Sequence, residues 1–222
     1  MNYYGKNILL ARASPRRNIQ EVEEQNLPCD VLWANFYQEY FAYQEIQKEF
    51  LKGKWGYLVL ATDDIVVKPE NIIQLECDLE TKDYPVLAGI MNVNEADYPN
   101  GNYAISHELD IWGEVKWIKN LPKDNIFQVK FNGFCLMAIR RDIVERYEFV
   151  AQNYMRDKRA GKGDGGSFDL VFCYWCENNC IPIFVDKRIN MKHLRQSGRT
   201  RLGEEKPTLV LNSYNIPKMV NG

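Results

Sequence analysis

The chain has 222 residues, of which 45% are hydrophobic, 28 are basic and 30 are acidic. This length suits one large α/β domain, or one domain with a tail, and it can bury roughly 70% of the unfolded surface. A formal charge of −2 excludes a bulk electrostatic attraction to nucleic acid or to a membrane surface.

Strand and helix patterns alternate along the chain, which predicts a single α/β domain with a mostly parallel central sheet flanked by helices. Strands are predicted at residues 7–11, 29–34, 55–61, 86–91, 126–131, 135–139 and 181–185, with shorter ones at 103–106, 115–118 and 208–211. Helices are predicted at residues 16–25, 36–51, 69–79, 141–152 and 168–178. Residues 156–166 predict a mobile Gly-rich loop, and residues 186–192 a link. The domain is expected to span residues 1–205, with a tail at 206–222.

The chain contains six cysteines, at positions 29, 77, 135, 173, 176 and 180. We interpret them as free thiols, because several lie inside apolar runs where cysteine behaves as a small hydrophobe. Cys173 and Cys176 have the C-x-x-C spacing, but no fourth zinc ligand is evident nearby. Free thiols suit a reducing compartment, and no signal peptide or membrane-length apolar run is evident. We therefore expect a cytoplasmic protein that does not span a membrane.

Three polar features could carry chemistry. Asp63 and Asp64 follow the strongest predicted strand, and ligands of open α/β sheets bind at the carboxyl ends of strands. Asp169 begins a predicted helix, and His193 is one of only two histidines. A divalent cation would suit the paired carboxylates and the histidine. The alternatives are a solvated turn or helix cap for the aspartates, a charge–dipole interaction for Asp169, and a structural histidine.

The order of these features resembles a known family. The run LVLATDDIVVKP at residues 58–69 looks like the strand, acidic motif and following proline of GT-A glycosyltransferases, especially the inverting family 2 group. The run NGFCLMAIRRDIV at residues 132–144 resembles the group's Gly-aromatic strand and next helix. Residues 166–186 are similar to its Glu-Asp segment, helix and Val-Asp strand. The pattern departs at Thr62, where the family often has Asp, at Phe168, which replaces a glutamate, and at residues 11–17.

The resemblance implies a metal-dependent glycosyltransferase that moves a sugar from a nucleotide-diphosphate sugar to a carbohydrate or glycoconjugate acceptor, with inversion. Asp64 and His193 would hold Mn²⁺ or Mg²⁺, and Asp169 would be the catalytic base. Donor-binding roles fall on Arg12, Asp63, Asp64 and Arg195, and Arg199 is a further candidate for the phosphates. Acceptor-binding roles fall on Gly133, Phe134 and Trp112, although core packing is the alternative for both aromatic rings.

Two other functions remain open on the sequence. A nucleotidyltransferase also uses strand-end carboxylates and a metal, but residues 11–17 contain no glycine for a phosphate loop. A catalytically weak or inactive sugar-nucleotide or carbohydrate-binding protein could keep the same fold, and the departures at Thr62 and Phe168 keep that alternative open. The sugar, the nucleotide and the oligomeric state are not specified by these patterns.

Overall fold

A computed structural model describes residues 7–14, 22, 26–35, 37, 39–93, 101–109, 116–149, 155–156, 166–194 and 207–214. Its helices are α1 (Glu39–Lys52), α2 (Pro69–Thr81), α3 (Arg141–Val144) and α4 (Phe168–Asn178). Its strands are β1 (Ile8–Ser14), β2 (Asp30–Asn35), β3 (Tyr57–Thr62), β4 (Ile65–Val66), β5 (Val86–Met91), β6 (Ile105–Ser106), β7 (Ile126–Val129), β8 (Phe131–Asn132), β9 (Met137–Arg140), β10 (Met155–Arg156), β11 (Gly166–Ser167), β12 (Ile183–His193) and β13 (Thr208–Asn212).

Nine strands form one large mixed sheet in the order β13-β2-β1-β3-β9-β5-β12-β4, with β7 paired to β12. Only the pairings β1–β2, β1–β3 and β12–β5 are parallel among the described strands. The expectation of a mostly parallel sheet is therefore corrected to a mixed one. The difference arises because β9 enters antiparallel between β3 and β5, and the edge strands also pair antiparallel.

Each face of the sheet carries its own apolar cluster. One cluster joins Leu9, Leu58 and Ile90 to buried residues of α1 and α4, such as Ile46 and Phe172. The other joins alternate residues of the same strands to α2, for example Leu10 and Val59 with Ile72. Strand side chains alternate between faces, so central strands covered on both sides are buried along their length, and every residue of β1, β3 and β5 except Thr62 is buried.

Two predicted elements differ from the structure. The helix predicted at 141–152 ends at Val144, because the rings of Tyr147 and Phe149 turn into the core, 4.8 Å apart between centroids. The side-chain amide of Gln47 donates a hydrogen bond to the Val144 carbonyl at 2.8 Å and accepts one from the Phe149 N–H at 3.1 Å. The predicted link at 186–192 belongs to strand β12, which continues to His193.

Other predicted elements are present with shifted ends or are reduced. The two shorter strands predicted around residues 103 and 118 are reduced to the two residues of β6 and to isolated bridges that pair Tyr103 with Asn92 and Ile118. Of the helix predicted at 16–25 only Val22 is described, and most of the Gly-rich loop lies outside the described residues.

The C-terminal segment contributes β13 to the main sheet, where it pairs antiparallel with β2. The described residues form no helix that is both long and apolar enough to cross a membrane. The described cysteines are all free, and Cys173 and Cys176 of α4 are buried. Burial raises the pKa of the Cys176 thiol to about 12, in agreement with the expectation that these thiols pack in the core.

Candidate functional site

A buried arginine donates hydrogen bonds to the backbone of the acidic turn after β3. Arg12, only 1% exposed, donates from Nη1 to the backbone carbonyls of Thr62 at 2.8 Å and Ile65 at 3.0 Å. Its guanidinium also lies over the Trp33 ring, 5.3 Å from the centroid. Burial lowers the pKa of Arg12 to about 10, partly offset by the charge of Asp63, so the group remains a cation at neutral pH.

Arg12 therefore lies under the turn, where its hydrogen bonds fix the backbone that carries the two aspartates. Asp63 accepts a hydrogen bond from the Ser14 hydroxyl at 3.2 Å, and both aspartates are only 5% exposed. A cation and a hydroxyl beneath the turn offset the repulsion between two adjacent buried carboxylates. These contacts of Arg12 and Asp63 are with the protein itself, and the donor-binding role predicted for both residues stays a prediction.

Asp64 faces the opposite way, toward the end of β12. Its Oδ2 lies 3.4 Å from Nε2 of His193, and its Oδ1 accepts a hydrogen bond from the Thr62 hydroxyl at 2.8 Å. Strand pairing fixes this contact, because His193 is opposite Ile65 and the Leu194 N–H donates to the Asp64 carbonyl at 2.7 Å. Two residues that are far apart in sequence are thus brought together, as the sequence predicted.

The Asp64 carboxylate raises the pKa of His193 above its ordinary value of 6.5, although burial opposes the shift. The other ring nitrogen, Nδ1, is buried and has no hydrogen-bond partner among the described residues. Thr62 is a residue whose role the sequence reasoning missed. It occupies the position at which the resemblance suggested a missing carboxylate, and its hydroxyl orients Asp64 instead.

Asp169 and Gly133 form a second part of the site. Asp169 is half-buried at the start of α4, where its Oδ1 accepts the Leu170 N–H at 2.7 Å. Its Oδ2 lies 3.5 Å from the point that a Cβ on Gly133 would occupy. The absence of a side chain at Gly133 therefore leaves space directly beside the carboxylate that was predicted to be the base.

A continuous ladder of backbone contacts joins the two parts. Met191 of β12 is opposite Met91 of β5, the Ala104 N–H donates to the Met91 carbonyl at 2.9 Å, and the Gly133 N–H donates to the Ala104 carbonyl at 3.0 Å. The ladder therefore links Met191, two residues before His193, to Gly133, which lies beside Asp169. The described residues contain no group of three His, Cys, Asp or Glu side chains that could hold a metal ion.

The remaining predicted residues fall in different places. Phe134 is 2% exposed and packs between Tyr43 and Phe172, with centroid distances of 5.5 Å and 6.3 Å. Its ring therefore has the core-packing role that was the alternative to sugar stacking. Arg195, Arg199 and Trp112 lie outside the described residues.

A separate cavity of about 590 Å³ opens at the other edge of the sheet, where β1 and β3 begin. Tyr57, Asp83, Arg140 and Asp142 are among its lining residues. Arg140 bridges Asp83 and Asp142 there, with N···O distances of 2.6 Å to each. None of the predicted site residues lines this cavity.

The described fold is that of a mixed α/β domain whose polar residues gather at the carboxyl edge of its parallel strands. No family model matches the sequence, and no curated protein matches it. The crystal structure of A197 from STIV is similar over 86% of this chain and 87% of that chain, with a TM-score of 0.61 and 13% identity. That similarity concerns the fold alone.

A structure of CMP:2-keto-3-deoxy-manno-octonic acid synthetase complexed with CTP aligns over 82% of this chain and 90% of that chain. Its TM-score is 0.43 and the identity is 9%, which does not establish a shared fold.

Proposed function

We propose that this protein is a metal-dependent glycosyltransferase that moves a sugar from a nucleotide-diphosphate sugar to an acceptor hydroxyl. The observation that carries the proposal is the contact between Asp64 and His193 at the carboxyl edge of the sheet, 3.4 Å apart. Ligands of open α/β sheets bind at this edge, and a carboxylate facing an imidazole is a donor set for a divalent cation.

The chemistry of this pair fits Mn²⁺ or Mg²⁺. A separation of 3.4 Å is long for a hydrogen bond, and neighbouring ligands about 2.1 Å from an octahedral ion lie about 3.0 Å apart, so the two side chains need only a small closing movement to share one cation. The Thr62 hydroxyl occupies Oδ1 of Asp64 and leaves Oδ2 directed at His193. When bound, the cation would neutralise the charge that builds up on the departing diphosphate.

Asp169 is the group that we assign as the base. The acceptor hydroxyl gives its proton to Asp169 while its oxygen forms a bond to the anomeric carbon, and the bond from that carbon to the donor phosphate breaks. The electron pair of that bond leaves with the nucleoside diphosphate. Attack from the face opposite the leaving group inverts the anomeric configuration. Space beside Gly133 allows an acceptor oxygen to approach the carboxylate of Asp169.

A bound donor would span the distance between the Asp64–His193 pair and Asp169, with its diphosphate at the pair and its sugar toward Gly133. Arg195 and Arg199 follow His193 within a few residues, and we assign them to the donor phosphates. Arg12 supports the site indirectly, because its hydrogen bonds hold the backbone of the turn that carries Asp64.

The test is a thermal-shift screen of nucleoside diphosphates and nucleotide sugars with Mn²⁺, followed by detection of released nucleotide. A ligand that binds only the native state raises the melting temperature with ln(1 + [L]/Kd). We expect His193→Gln to lose the Mn²⁺-dependent rise and the matched variant His107→Gln to keep it, since these are the chain's two histidines.

Three results would contradict the proposal. Equal Mn²⁺ responses in both histidine variants would remove the metal from the Asp64–His193 pair. Release of pyrophosphate from a nucleoside triphosphate and a sugar phosphate would identify a nucleotidyltransferase instead. Mn²⁺-dependent binding of a nucleotide sugar without turnover would favour an inactive binding protein.

A further inference from the structure

Strand β12 pairs with β5 in two separate stretches. Ile183, Phe184 and Val185 are opposite residues 86–88, whereas Asn190 and Met191 are opposite residues 90 and 91. The numbers of paired residues therefore differ by 97 in the first stretch and by 100 in the second. Residues 186–189 contain three more residues than β5 needs, which makes a bulge larger than the usual one-residue type.

This bulge exchanges the two faces of the strand. Ile183 and Val185 pack in the cluster on the α1–α4 side, whereas Ile189 and Met191 pack in the cluster on the α2 side. All four residues have odd numbers, and a shift by an odd number of residues moves every later side chain to the other face. His193 belongs to the same odd series, so the bulge determines the face on which its imidazole lies.

Hydrogen bonds from Arg188 to two aspartates hold the bulge in place. Arg188 donates to the fully buried Asp186 from its backbone N–H at 2.9 Å and from Nε at 3.0 Å and 2.9 Å to the two carboxylate oxygens. Its Nη2 reaches Oδ1 of Asp78 on α2 at 2.7 Å, and Gln74 donates to the same oxygen at 3.0 Å. We call Asp78, Arg188 and Asp186 the bulge clamp.

A second anchor holds the other side of the bulge. The Lys187 N–H donates to the Asn125 carbonyl at 3.0 Å, and its Nζ donates to the Pro122 and Lys123 carbonyls at 2.8 Å and 2.6 Å. The bulge is therefore fixed to α2 by the clamp and to the loop before β7 by Lys187. Only residues 190–192 separate it from His193.

We propose that the bulge clamp is a positioning element, which sets the register and face of the last β12 residues so that His193 meets Asp64. If β12 paired with β5 without the bulge, its last residues would lie about 10 Å further along β5 at the usual rise. Their side chains would also point to the opposite face of the sheet. The clamp acts through His193 and touches neither the cation nor the substrate. The functional importance of this arrangement rests on the proposed function, but the positioning itself does not.

Arg188→Gln tests the proposal, with Arg140→Gln as the matched control. Arg140 also bridges two aspartates, Asp83 and Asp142, but it lies at the opposite edge of the sheet. The first readout is the ring signal of His193 in an NMR spectrum at fixed pH. The chain contains only two histidines, so the spectrum shows only two such signals. The second is hydrogen exchange of the Leu194 N–H, which donates to the Asp64 carbonyl.

In Arg188→Gln, the His193 signal should move toward its position in Asp64→Asn, and the Leu194 amide should exchange about tenfold faster or more while β1 amides keep their protection. Arg140→Gln should change neither readout, and Arg188→Lys should restore part of the signal because it keeps a cation between the carboxylates. A folded Arg188→Gln protein with a wild-type His193 signal and wild-type Leu194 exchange would overturn the proposal.

If Arg188→Gln does not fold, Asp78→Asn provides the same comparison, because it weakens the α2 side of the clamp and leaves Arg188 on Asp186. The same two readouts then decide the outcome. Neither readout requires sugar transfer or a metal. Absence of turnover in the wild-type protein would therefore count against the proposed function and leave the positioning result intact.

Discussion

Gly89 lies where the bulge of β12 passes closest to β5. A Cβ at this position would stand 2.6 Å from the Ile189 carbonyl oxygen, 2.7 Å from Ile189 Cγ2 and 2.8 Å from Met191 Cε. The backbone cannot simply move away, because the Gly89 N–H donates to the Cys135 carbonyl at 2.8 Å and the Gly89 carbonyl accepts from the Asn132 amide at 3.0 Å. Gly89→Ala must therefore displace the bulge.

Gly133→Ala is the matched control. A Cβ at Gly133 would meet its nearest atoms at 3.5 Å, which is ordinary van der Waals contact. Overpacking of a dense core costs about 1–3 kcal/mol, while replacing glycine by alanine gains about 0.4–1 kcal/mol through the unfolded chain. We therefore expect Gly89→Ala to lose about 1–2 kcal/mol of unfolding free energy and Gly133→Ala to lose none, a difference of about 2 kcal/mol.

Urea unfolding followed by tryptophan fluorescence measures both variants against the wild-type protein. In a chain of this size the difference corresponds to about 4–8 °C in melting temperature. Gly89→Ala should also shift the His193 ring signal, because the displaced bulge leads directly into the last residues of β12. Equal stability of the two variants would refute the reasoning that the bulge requires glycine at position 89.

Three further predictions concern protons. Asp169→Asn is expected to abolish turnover and preserve Mn²⁺-dependent donor binding, because the amide keeps the shape but cannot accept a proton; loss of binding in calorimetry would make Asp169 structural. The pKa of His193 is raised by Asp64, and a proton on Nε2 competes with a cation, so Mn²⁺ affinity should rise with pH through that pKa; a flat titration would contradict this. Burial and Asp186 raise the pKa of Asp78 to about 6, so the folded state is favoured when this carboxyl group is protonated. That contribution to the unfolding free energy is complete below the ordinary carboxyl pKa and is lost as pH rises through about 6. The urea midpoint should fall over that interval relative to Asp78→Asn, and parallel curves would argue against it.

Elements whose signal lies within one segment were predicted well from the sequence. Strand β5 and helix α4 have the predicted boundaries, and α2 begins at the predicted Pro69. Proline at the first helical position and the apolar periodicity of each segment are local signals, so no knowledge of the partner strands was needed.

The failures came where a distant partner replaced a local preference. Residues 145–152 have a helical pattern, but Gln47 on α1 binds the backbone groups that a longer helix would have used. The extension of β12 could have been recognised from Ile189 and Met191, whose alternation with polar residues is a strand pattern, although the bulge places them on the opposite face from Ile183 and Val185. The charged run between the two halves obscured that pattern.

The candidate site also has one part that was predicted from the sequence and another that was recognised only in the structure. The positions of Asp64 and His193 followed from the motif order, whereas their partners Thr62, Arg12 and the bulge clamp could be recognised only in three dimensions. A resemblance to a family gives the types of the site residues and their spacing along the chain. It does not say which carboxylate faces a ligand and which faces a buried arginine.

By itself, the sequence determined that the chain alternates strands with helices, that its central strands are buried on both faces, and that acidic residues follow the third strand. These properties depend on neighbours within a few residues. Tertiary structure alone decided the direction of β9 and the face of β12 after its bulge. Strand pairing joins β12 to residues 97 to 128 positions earlier, and its register depends on packing that no single segment encodes.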